Sequence, residues 1–433
     1  MFRRLQSESG ATAVYFAVVA PVLIGFAALG SEVGYWLVTD RKLQHIADLS
    51  AYSAATRSVS TSDEDLVEEA AKARAQSSGL LATDTFTVEM PPISGAHAGQ
   101  NGFVAVTVTR VVPRYLTSIF SSEDTSVTIS ARAVAGILPG SGEPVCMLAL
   151  SQTASQAFYA SGAGTINVVG CGFSSNSSSA QSFYMQGARV SVTGSCLYAV
   201  GGVVATSGLE LTDCTVPHPL SRPTPDPYAD LRMLTTADVG GLVSAPTSLE
   251  NTSFAPSSFL IDFPDLPIAR FAGGLSLRGD VTLAPGLYIV DGGTFRIGAN
   301  SVITGTGVNF YLMNGARLDV AGGAELNLTA YSATQPGVAN NPYANLLFFA
   351  DRSGTLVDHS LSGNSDSSVN GVIYLPNDKL TYTGDSGSSY PCIEVIAGQL
   401  AVSGSGTMTI GCEPLKAPGS PRPEAGQRVA LVE

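Results

Sequence analysis

Carboxylates are the side chains of this sequence best suited to acid–base chemistry. Five aspartates lie within a Gly-rich stretch, where exposed carboxylate pairs are able to cleave glycosidic bonds: Asp262, Asp265, Asp280, Asp291 and Asp319. They recur at no fixed offset, and isolated charges usually lie on solvated surfaces. The spacing predicts no catalytic pair, and we expect no enzyme activity.

The histidines and one oxygen-rich motif are the candidates for metal binding in this sequence. The histidines are scattered at His45, His97, His218 and His359, with no partner at ligand spacing. The motif FADRSGT, residues 349–355, resembles the metal-ion-dependent adhesion site of von Willebrand factor A domains, with Asp351, Ser353 and Thr355 as oxygen ligands. The chain after Asp351 is too short for the doubly wound α/β fold which that site requires. We therefore expect no metal site and no cofactor.

Composition limits the class of protein. The chain has 433 residues and a net charge of -13, with 35 acidic against 22 basic residues. Nucleic acid is an unlikely partner for such a chain, because phosphate binding requires clustered Lys and Arg. Only 13% of the residues are charged and 46 are Gly. This composition favours many short strands and turns, in two or three domains.

An uncharged stretch near the N-terminus, GATAVYFAVVAPVLIGFAALG (residues 10–30), is long enough to cross a bilayer. Arg3 and Arg4 precede it, so the positive-inside rule predicts a cytoplasmic tail over 1–9 and an inner-membrane helix over 10–31. The C-terminal region is then periplasmic or at the cell surface. The alternative is a secretory signal cleaved near Ala27 or Gly30, but the apolar run is longer than a signal h-region.

The apolar periodicity continues beyond the span and predicts one long helix with a buried stripe. The predicted stripe consists of Val33, Trp36, Leu37, Leu43, Ile46, Ala47, Ala51 and Ala54. This part of the chain contains Gly10-Ala11, Pro21, Glu32-Val33-Gly34 and LQHIADLSAYSAA (43–55). Together they resemble the N-terminal segment of TadG-like proteins of the Flp, or tight-adherence, pilus-assembly system. Related pilins and TadE-like pseudopilins carry Glu where this chain has Tyr15, so we expect retention in the membrane rather than cleavage after Gly10.

Residues 32–139 are predicted to form the helix extension and a small α+β pilin-like domain. A helix with Ser62 as its cap and Gly79 at its end is followed by alternating strands over 84–90, 102–112 and 125–137.

Beyond residue 139, short strands are separated by glycines at a spacing near twenty residues. The recurring glycines are Gly162, Gly187, Gly208, Gly279, Gly298, Gly322, Gly363, Gly384 and Gly404. This period predicts a right-handed parallel β-helix solenoid in two blocks, 140–214 and 271–414. A β-sandwich is the alternative. The Pro-rich residues 215–270 are predicted to be an excursion without strands, and 415–433 a C-terminal tail.

Six cysteines without a CxxC pair indicate disulfides and an oxidising compartment. Cys171 and Cys196 each lie nine residues past a repeat glycine, and Cys392 and Cys412 each lie eight residues past one. Equivalent positions of successive coils stack within disulfide distance. The register predicts bridges Cys171–Cys196 and Cys392–Cys412, and elimination leaves Cys146–Cys214.

These patterns support two functions. The first is a non-enzymatic, membrane-anchored TadG-like component of a Flp pilus machine, whose partners are the inner membrane, other pilus components or pseudopilins, and a surface glycan as a further candidate. The second is an exported parallel β-helix that binds or cleaves glycans.

Overall fold

The computed structural model describes residues 9–59, 63–117, 125–138, 142–163, 165–331, 341–352, 354–362, 367–384, 388–390, 392–404, 407–411 and 423–433. The chain divides into two units. The head unit comprises Met1–Pro139 and Arg428–Glu433, and the solenoid unit comprises Gly140–Gln427.

The secondary-structure elements are numbered along the chain. The helices are α1 Ser9–Ser58, α2 Glu64–Ser77 and the single turn α3 Thr236–Val239. The strands are β1 Thr85–Glu89, β2 Phe103–Pro113, β3 Ser126–Ile137, β4 Glu143–Ala149, β5 Phe158–Ser161, β6 Thr165–Val169, β7 Gly172–Ser175, β8 Phe183–Gln186, β9 Ser191–Gly194, β10 Leu197–Ala199, β11 Val203–Val204, β12 Leu209–Leu211, β13 Ser248–Phe254, β14 Ser258–Leu260, β15 Phe263–Leu283, β16 Gly286–Ile297, β17 Val302–Thr306, β18 Val308–Met313, β19 Arg317–Val320, β20 Glu325–Thr329, β21 Leu346–Ala350, β22 Asp358–Ser362, β23 Ser368–Gly384, β24 Ser388–Tyr390, β25 Cys392–Gly404, β26 Thr407–Gly411, β27 Glu424–Ala425 and β28 Val429–Leu431.

The head unit packs two helices on an antiparallel sheet of order β1-β2-β3-β28. Its three predicted strands and its predicted helix are confirmed. The cap of α2 is Asp63, whose carboxylate accepts the Asp65 N–H at 3.0 Å; the predicted cap, Ser62, lies outside the described residues. The buried face of α2 is formed by Val67, Ala71 and Ala75.

The prediction of residues 415–433 as a tail is wrong for their last part. Val429–Leu431 form β28, the fourth strand of the head sheet, antiparallel to β3 with Val429 opposite Ile137. Val429 is buried in the head core. The solenoid is therefore inserted, in the order of the chain, between two neighbouring strands of the head sheet. A three-residue strand gives too short a period for sequence reasoning to detect.

The solenoid unit is a parallel β-solenoid of about 10 turns, which confirms the predicted mostly β architecture and replaces the sandwich alternative. Partner residues in successive coils are separated by intervals close to the predicted period: Phe158 lies opposite Phe183, Gly286 opposite Val308, and Lys379 opposite Gln399. The repeat glycines Gly162 and Gly187 also stack, because a Cβ on Gly187 would lie 3.1 Å from the Gly162 carbonyl oxygen.

The coils do not stack in the order of the chain. One ladder can be followed through nine strands, in the order β10, β7, β4, β25, β23, β21, β18, β16 and β15, and β13 pairs with a later part of β15. The chain enters in the middle at β4, winds outwards to β10–β12, crosses to the far end at β13 and winds back to β25, which pairs with β4. Val395 lies opposite Met147 in that parallel closure.

The predicted excursion is shorter than 215–270. Strands β13 and β14 and the start of β15 lie inside that range, and β15 includes Pro264 and Pro267. Proline removes a ladder donor, but Pro264 and Pro267 lie at the beginning of β15, before the pairing of Ile268 with Leu287. The remaining segment, residues 215–247, is called the strap below.

Two layers of apolar side chains hold the solenoid together. Inside the coils, Phe158, Phe271, Phe310 and Phe348 are completely buried, and Phe310 stacks on Phe348 with ring centroids 5.1 Å apart. A second cluster lies between the outward face of the ladder and the strap, and it includes Tyr228 and Leu234 of the strap. The strap is therefore packed into the solenoid unit.

Candidate functional site

The first half of α1 has the properties of a membrane-spanning helix. Its apolar side chains are exposed from Val14 onwards, with Phe16 at 77% and Phe26 at 70% exposure. Within the described residues, α1 is the one helix long and apolar enough to cross a membrane. Large contiguous apolar surfaces are rare on soluble domains, because they are costly to hydrate. The surface fits a lipid environment.

The second half of α1 is built into the head core. Of the predicted stripe, Leu43, Ile46, Ala47, Ala51 and Ala54 are buried. Trp36 is partly buried against the same core. The small alanine side chains allow close approach to the head sheet and to α2.

The prediction of that stripe is wrong for Val33 and Leu37, which are 37% and 56% exposed. The same part of α1 includes Trp36, which packs on the head core, and the buried Thr39, so Val33 and Leu37 lie at the exposed edge of the stripe. Helical periodicity alone does not reveal how wide a face of the helix the core covers.

Glu32 marks the junction between the two halves of α1. Its side chain is buried, and its carboxylate accepts the backbone N–H of Tyr115 at 2.5 Å, of Thr117 at 2.6 Å and of Leu116 at 3.4 Å. Three donors compensate for the loss of water around the carboxylate. Sequence reasoning identified Glu32 only as part of a family resemblance and did not predict this contact.

The cysteines pair one coil away from the prediction. The structure contains Cys146–Cys171, with a Cα separation of 5.7 Å, and Cys196–Cys214, with 5.2 Å. The predicted bridges Cys171–Cys196 and Cys146–Cys214 are therefore wrong. Cys412 lies outside the described residues, so the Cys392–Cys412 bridge stays a prediction.

The reason for this error is a symmetry of the spacing. Cys146 precedes Cys171 by 25 residues, and Cys171 precedes Cys196 by the same interval. In a stack of coils the middle cysteine has an equivalent neighbour on either side. Its bond to Cys146 leaves Cys196, which follows β9, to pair with Cys214, which follows β12, the strand that pairs with β9.

The strap follows the outward face of the ladder from one end towards the other. His218 forms a parallel bridge to Tyr198 of β10, and Thr224 contacts Ser174 of β7 through hydroxyl oxygens 2.6 Å apart. At its other end, Ser244 forms a parallel bridge to Arg270 of β15. Eight spacings separate the nine ladder strands from β10 to β15, so the strap covers about 38 Å.

Buried tyrosines of the ladder hold the middle of the strap. Tyr311 donates a hydrogen bond to the Leu234 carbonyl at 2.7 Å, and Tyr343 donates one to the Arg232 carbonyl at 3.1 Å. Burial raises the pKa of both phenols above the usual value, so they remain donors at neutral pH.

Arg352 and Asp226 form the polar centre of the strap interface. Arg352 donates to the carbonyls of Leu231, at 2.9 Å, and Tyr228, and to the Tyr374 hydroxyl at 2.9 Å. Tyr374 in turn donates to Asp226 Oδ2 at 2.7 Å. Burial raises the pKa of Asp226, and this effect exceeds the opposing effects of Tyr374, the Tyr228 N–H and Arg352.

A cleft of about 390 Å³ opens beside α3. It is lined by Met233, Leu234, Thr235, Thr236, Met313, Asn314, Asp351 and Arg352. Asp351 Oδ2 accepts the Asn314 N–H at 2.8 Å, and the Asn314 side chain donates to Asp291 at 2.6 Å. The lining combines apolar thioethers with amide, hydroxyl and carboxylate groups, a mixture that suits a hydroxyl-rich ligand.

The five candidate carboxylates have different local environments. Asp262 binds Arg232 at 2.8 Å, Asp291 binds Arg270 at 2.6 Å, and Asp319 lies 4.0 Å from Arg296. Asp265 is exposed at the start of β15, and Asp280 lies farther along that strand. Three of the five carboxylates thus have arginine partners.

The four histidines occupy four different environments. His45 is exposed on α1, His97 stacks on Phe103 with centroids 4.2 Å apart, and His218 stacks on Tyr198.

His359 is fully buried, and both of its ring nitrogens have hydrogen-bond partners. Its Nδ1 accepts the Leu318 N–H at 3.0 Å, and its Nε2 then donates to Asp378 at 3.1 Å. Asp378 follows His359 by 19 residues, about one coil, a spacing that links neighbouring coils.

The described residues contain no group of three or more His, Cys, Asp or Glu side chains that could hold a metal ion. In the motif compared with an adhesion site, Asp351 lines the cleft, Thr355 is exposed, and Ser353 lies outside the described residues.

Comparison with known proteins concerns the first helix. Residues 10–57 match the family model described as "Putative Flp pilus-assembly TadE/G-like". These residues form a TadE/G-like segment. This TadE/G-like segment lies wholly within α1, so it contains the exposed apolar half, the Glu32 junction and the buried half.

The comparisons add little about the rest of the chain. A search of curated proteins found no match. Among solved structures, the chain is similar to the competence-associated pilin ComZ from Thermus thermophilus, with 10% identity over 100% of this chain and 98% of that chain, and a TM-score of 0.26. A TM-score this low carries no structural argument. The TadE/G-like segment thus remains the basis for a functional proposal.

Proposed function

We propose that the protein is a non-enzymatic, single-pass membrane component of a Flp pilus-assembly system, which presents its solenoid outside the inner membrane for assembly or surface contact. The observation that carries the proposal is the TadE/G-like segment, a single helix that exposes apolar side chains in its first half and enters the head core in its second half. The partners that fit are the inner membrane and other pilus components.

Two features support the proposed orientation. Arg3 and Arg4 precede the apolar run, and positive charges favour the cytoplasmic side. The bridges Cys146–Cys171 and Cys196–Cys214 belong to an oxidising compartment, as expected for a solenoid on the opposite side.

The non-enzymatic role is supported by the environment of the acidic residues. Glycoside hydrolysis requires two carboxylates that face each other across a substrate. Asp262, Asp291 and Asp319 instead face arginines. A surface built of stacked coils suits binding over an extended area, as in other solenoids.

The test is protease treatment of spheroplasts that express the full chain. We expect degradation of the region beyond about residue 60 and survival of a short N-terminal membrane fragment. Leu23→Arg should weaken membrane insertion by about 2.5–3.5 kcal/mol, because a charge at the bilayer centre is poorly solvated. His45→Arg, at an exposed position of the same helix outside the span, is the matched control. Full protection of the solenoid, or equal insertion of Leu23→Arg and His45→Arg, would refute the anchor.

The second candidate is an exported glycan-binding or glycan-cleaving solenoid, and the cleft beside α3 favours it. Its N-terminus would be cleaved near Ala27 or Gly30. Intact mass of the mature protein separates the candidates, because only the anchored protein retains the whole apolar run.

A further inference from the structure

Exposed apolar side chains continue beyond the predicted span and onto the head unit. Four lie on α1 and two in the loop bound by Glu32. Together they form the membrane-proximal collar: Val33, Tyr35, Leu37, Val38, Tyr115 and Leu116, which are 37%, 47%, 56%, 52%, 68% and 43% exposed.

The helix length places this collar at the edge of the bilayer. The predicted span of 22 residues, 10–31, is about 33 Å long, and the hydrocarbon core is about 30 Å thick. Glu32 therefore lies at the outer boundary of the hydrocarbon. The backbone of Tyr115 and Thr117 lies within 2.6 Å of the Glu32 carboxylate, so their loop lies at the same depth.

The chemistry of the collar fits the headgroup layer. Tyrosine is enriched at membrane interfaces because its ring is apolar and its hydroxyl is polar. The collar contains two tyrosines, Tyr35 and Tyr115, and the carboxylate between them has backbone donors in place of water. Without those donors, a buried carboxylate at this depth would be costly.

We propose that the membrane-proximal collar inserts into the phospholipid headgroup layer, so that the head unit rests on the membrane surface with the 115–117 loop as its second contact. This proposal rests on the proposed membrane anchoring. Glu32 acts as the positioning residue, because it holds the loop at the depth at which the span ends.

The test uses tryptophan fluorescence, since the chain has one tryptophan, Trp36. In a Trp36→Phe background, Tyr115→Trp reports on the collar. Ile93→Trp is the matched control, because Ile93 is also highly exposed and lies at the other end of the head sheet. Ile93 follows Glu89, which pairs with Ala105 near the start of β2, whereas Tyr115 follows Pro113 at the end of β2. About 27 Å of strand β2 separates the two ends.

Both full-length variants are reconstituted in vesicles of phosphatidylcholine and phosphatidylglycerol that carry spin labels at known depths. We expect headgroup-level labels to reduce the emission of the Tyr115→Trp probe at least about twofold, since the interface is where aromatic rings reside. Labels at the bilayer centre should quench it less, and the probe at position 93 should be unaffected.

Equal quenching at positions 115 and 93 in inserted protein would overturn the proposal. If position 115 becomes shielded from solvent only after a second TadE/G-like chain is added, the collar binds a protein partner, and the proposal of insertion into the headgroup layer is overturned. Extraction of the protein by alkaline carbonate would instead overturn the proposed anchoring, so the two failures are distinguishable.

Glu32→Gln, combined with the probe at position 115, tests the positioning role. The amide keeps the shape of the side chain but presents one acceptor oxygen instead of two, so the loop should separate from α1. We expect quenching at position 115 to fall towards the control value while carbonate resistance is unchanged. Unchanged quenching would overturn the role of Glu32.

Discussion

Replacement of Arg352 by Met should release the middle of the strap without unfolding the coils. Arg352 connects the ladder to the strap carbonyls of Tyr228 and Leu231, and it also supports Tyr374. Methionine preserves much of the apolar stem but none of the donors. The coils themselves are held by ladder hydrogen bonds and by their inner apolar core, which the substitution does not touch.

The size of the effect follows from the contacts. Each hydrogen bond to a charged group contributes about 1.5–3 kcal/mol. Two carbonyl partners give about 3–6 kcal/mol for docking of this part of the strap. At about 1.4 kcal/mol per factor of ten, local opening should become about 100- to 10,000-fold more frequent.

Amide hydrogen exchange of the full chain, followed by mass spectrometry of peptides from the strap and from β16 and β18, measures this opening. Arg296→Met is the control, because Arg296 is 61% exposed and lies 4.0 Å from Asp319, an ion pair that contributes little. Faster exchange confined to the strap is expected only for Arg352→Met. Unchanged strap exchange would refute the assigned role of Arg352, and equally accelerated exchange in β16 and β18 would show that the strap and coils unfold together.

Three further predictions concern other charged and covalent groups. Asp226 has a raised pKa in the folded chain, so the native state retains the proton of this carboxyl to higher pH, and strap stability should decrease as pH rises from the ordinary value of 3.8 through the folded pKa. Asp226→Asn should remove this pH dependence of strap hydrogen exchange, and an identical pH dependence in the variant would contradict the assignment. Peptide mapping without reductant should recover Cys146–Cys171 and Cys196–Cys214, and a Cys171–Cys196 peptide would refute that pairing. The same digest tests Cys392–Cys412. Replacement of Cys171 by Ser should lower the free energy of unfolding by about 3 kcal/mol in the loop-entropy estimate. Asp351→Ala should leave Mg²⁺ binding unchanged in calorimetry, and a clear loss of Mg²⁺ affinity would support the metal interpretation of that motif.

Sequence reasoning succeeded where one residue pattern has one physical solution. The charge-free run over 10–30 and the periodicity after it specified a long helix, since few other structures satisfy the backbone hydrogen bonds of an apolar segment of that length. The alternating strands of the head and the twenty-residue glycine period of the solenoid were equally specific. The stacked pair Gly162 and Gly187 shows why, because both have positive φ values, 106° and 119°, which glycine adopts without strain.

Contacts between segments distant in sequence were not predictable in the same way. Glu32 binds residues more than eighty positions away, and Arg352 binds strap carbonyls more than a hundred positions away. Neither contact leaves a periodic trace, because each joins a single side chain to backbone groups that every residue has. The strap was identified by its prolines, but its contact with the tyrosines of the ladder depends on the order in which the coils stack.

That order has a physical explanation in the coils themselves. Each coil presents an open edge on both sides, and parallel pairing is equally available to the coil before it and to the coil after it. The chain uses this freedom when β25 pairs with β4, so that the first and last coils meet in the middle of the stack. This arrangement leaves β10 and β13 at the two ends, and the strap must connect them.

The strap also protects part of the solenoid surface. It covers the outward tyrosine face, and through His218 it pairs with the edge of β10. At the other end, β13 exposes Glu250 and Asn251, and a register shift follows Glu250. Polar side chains and a bulge discourage addition of a further strand, so the stack ends there and does not extend into a fibre.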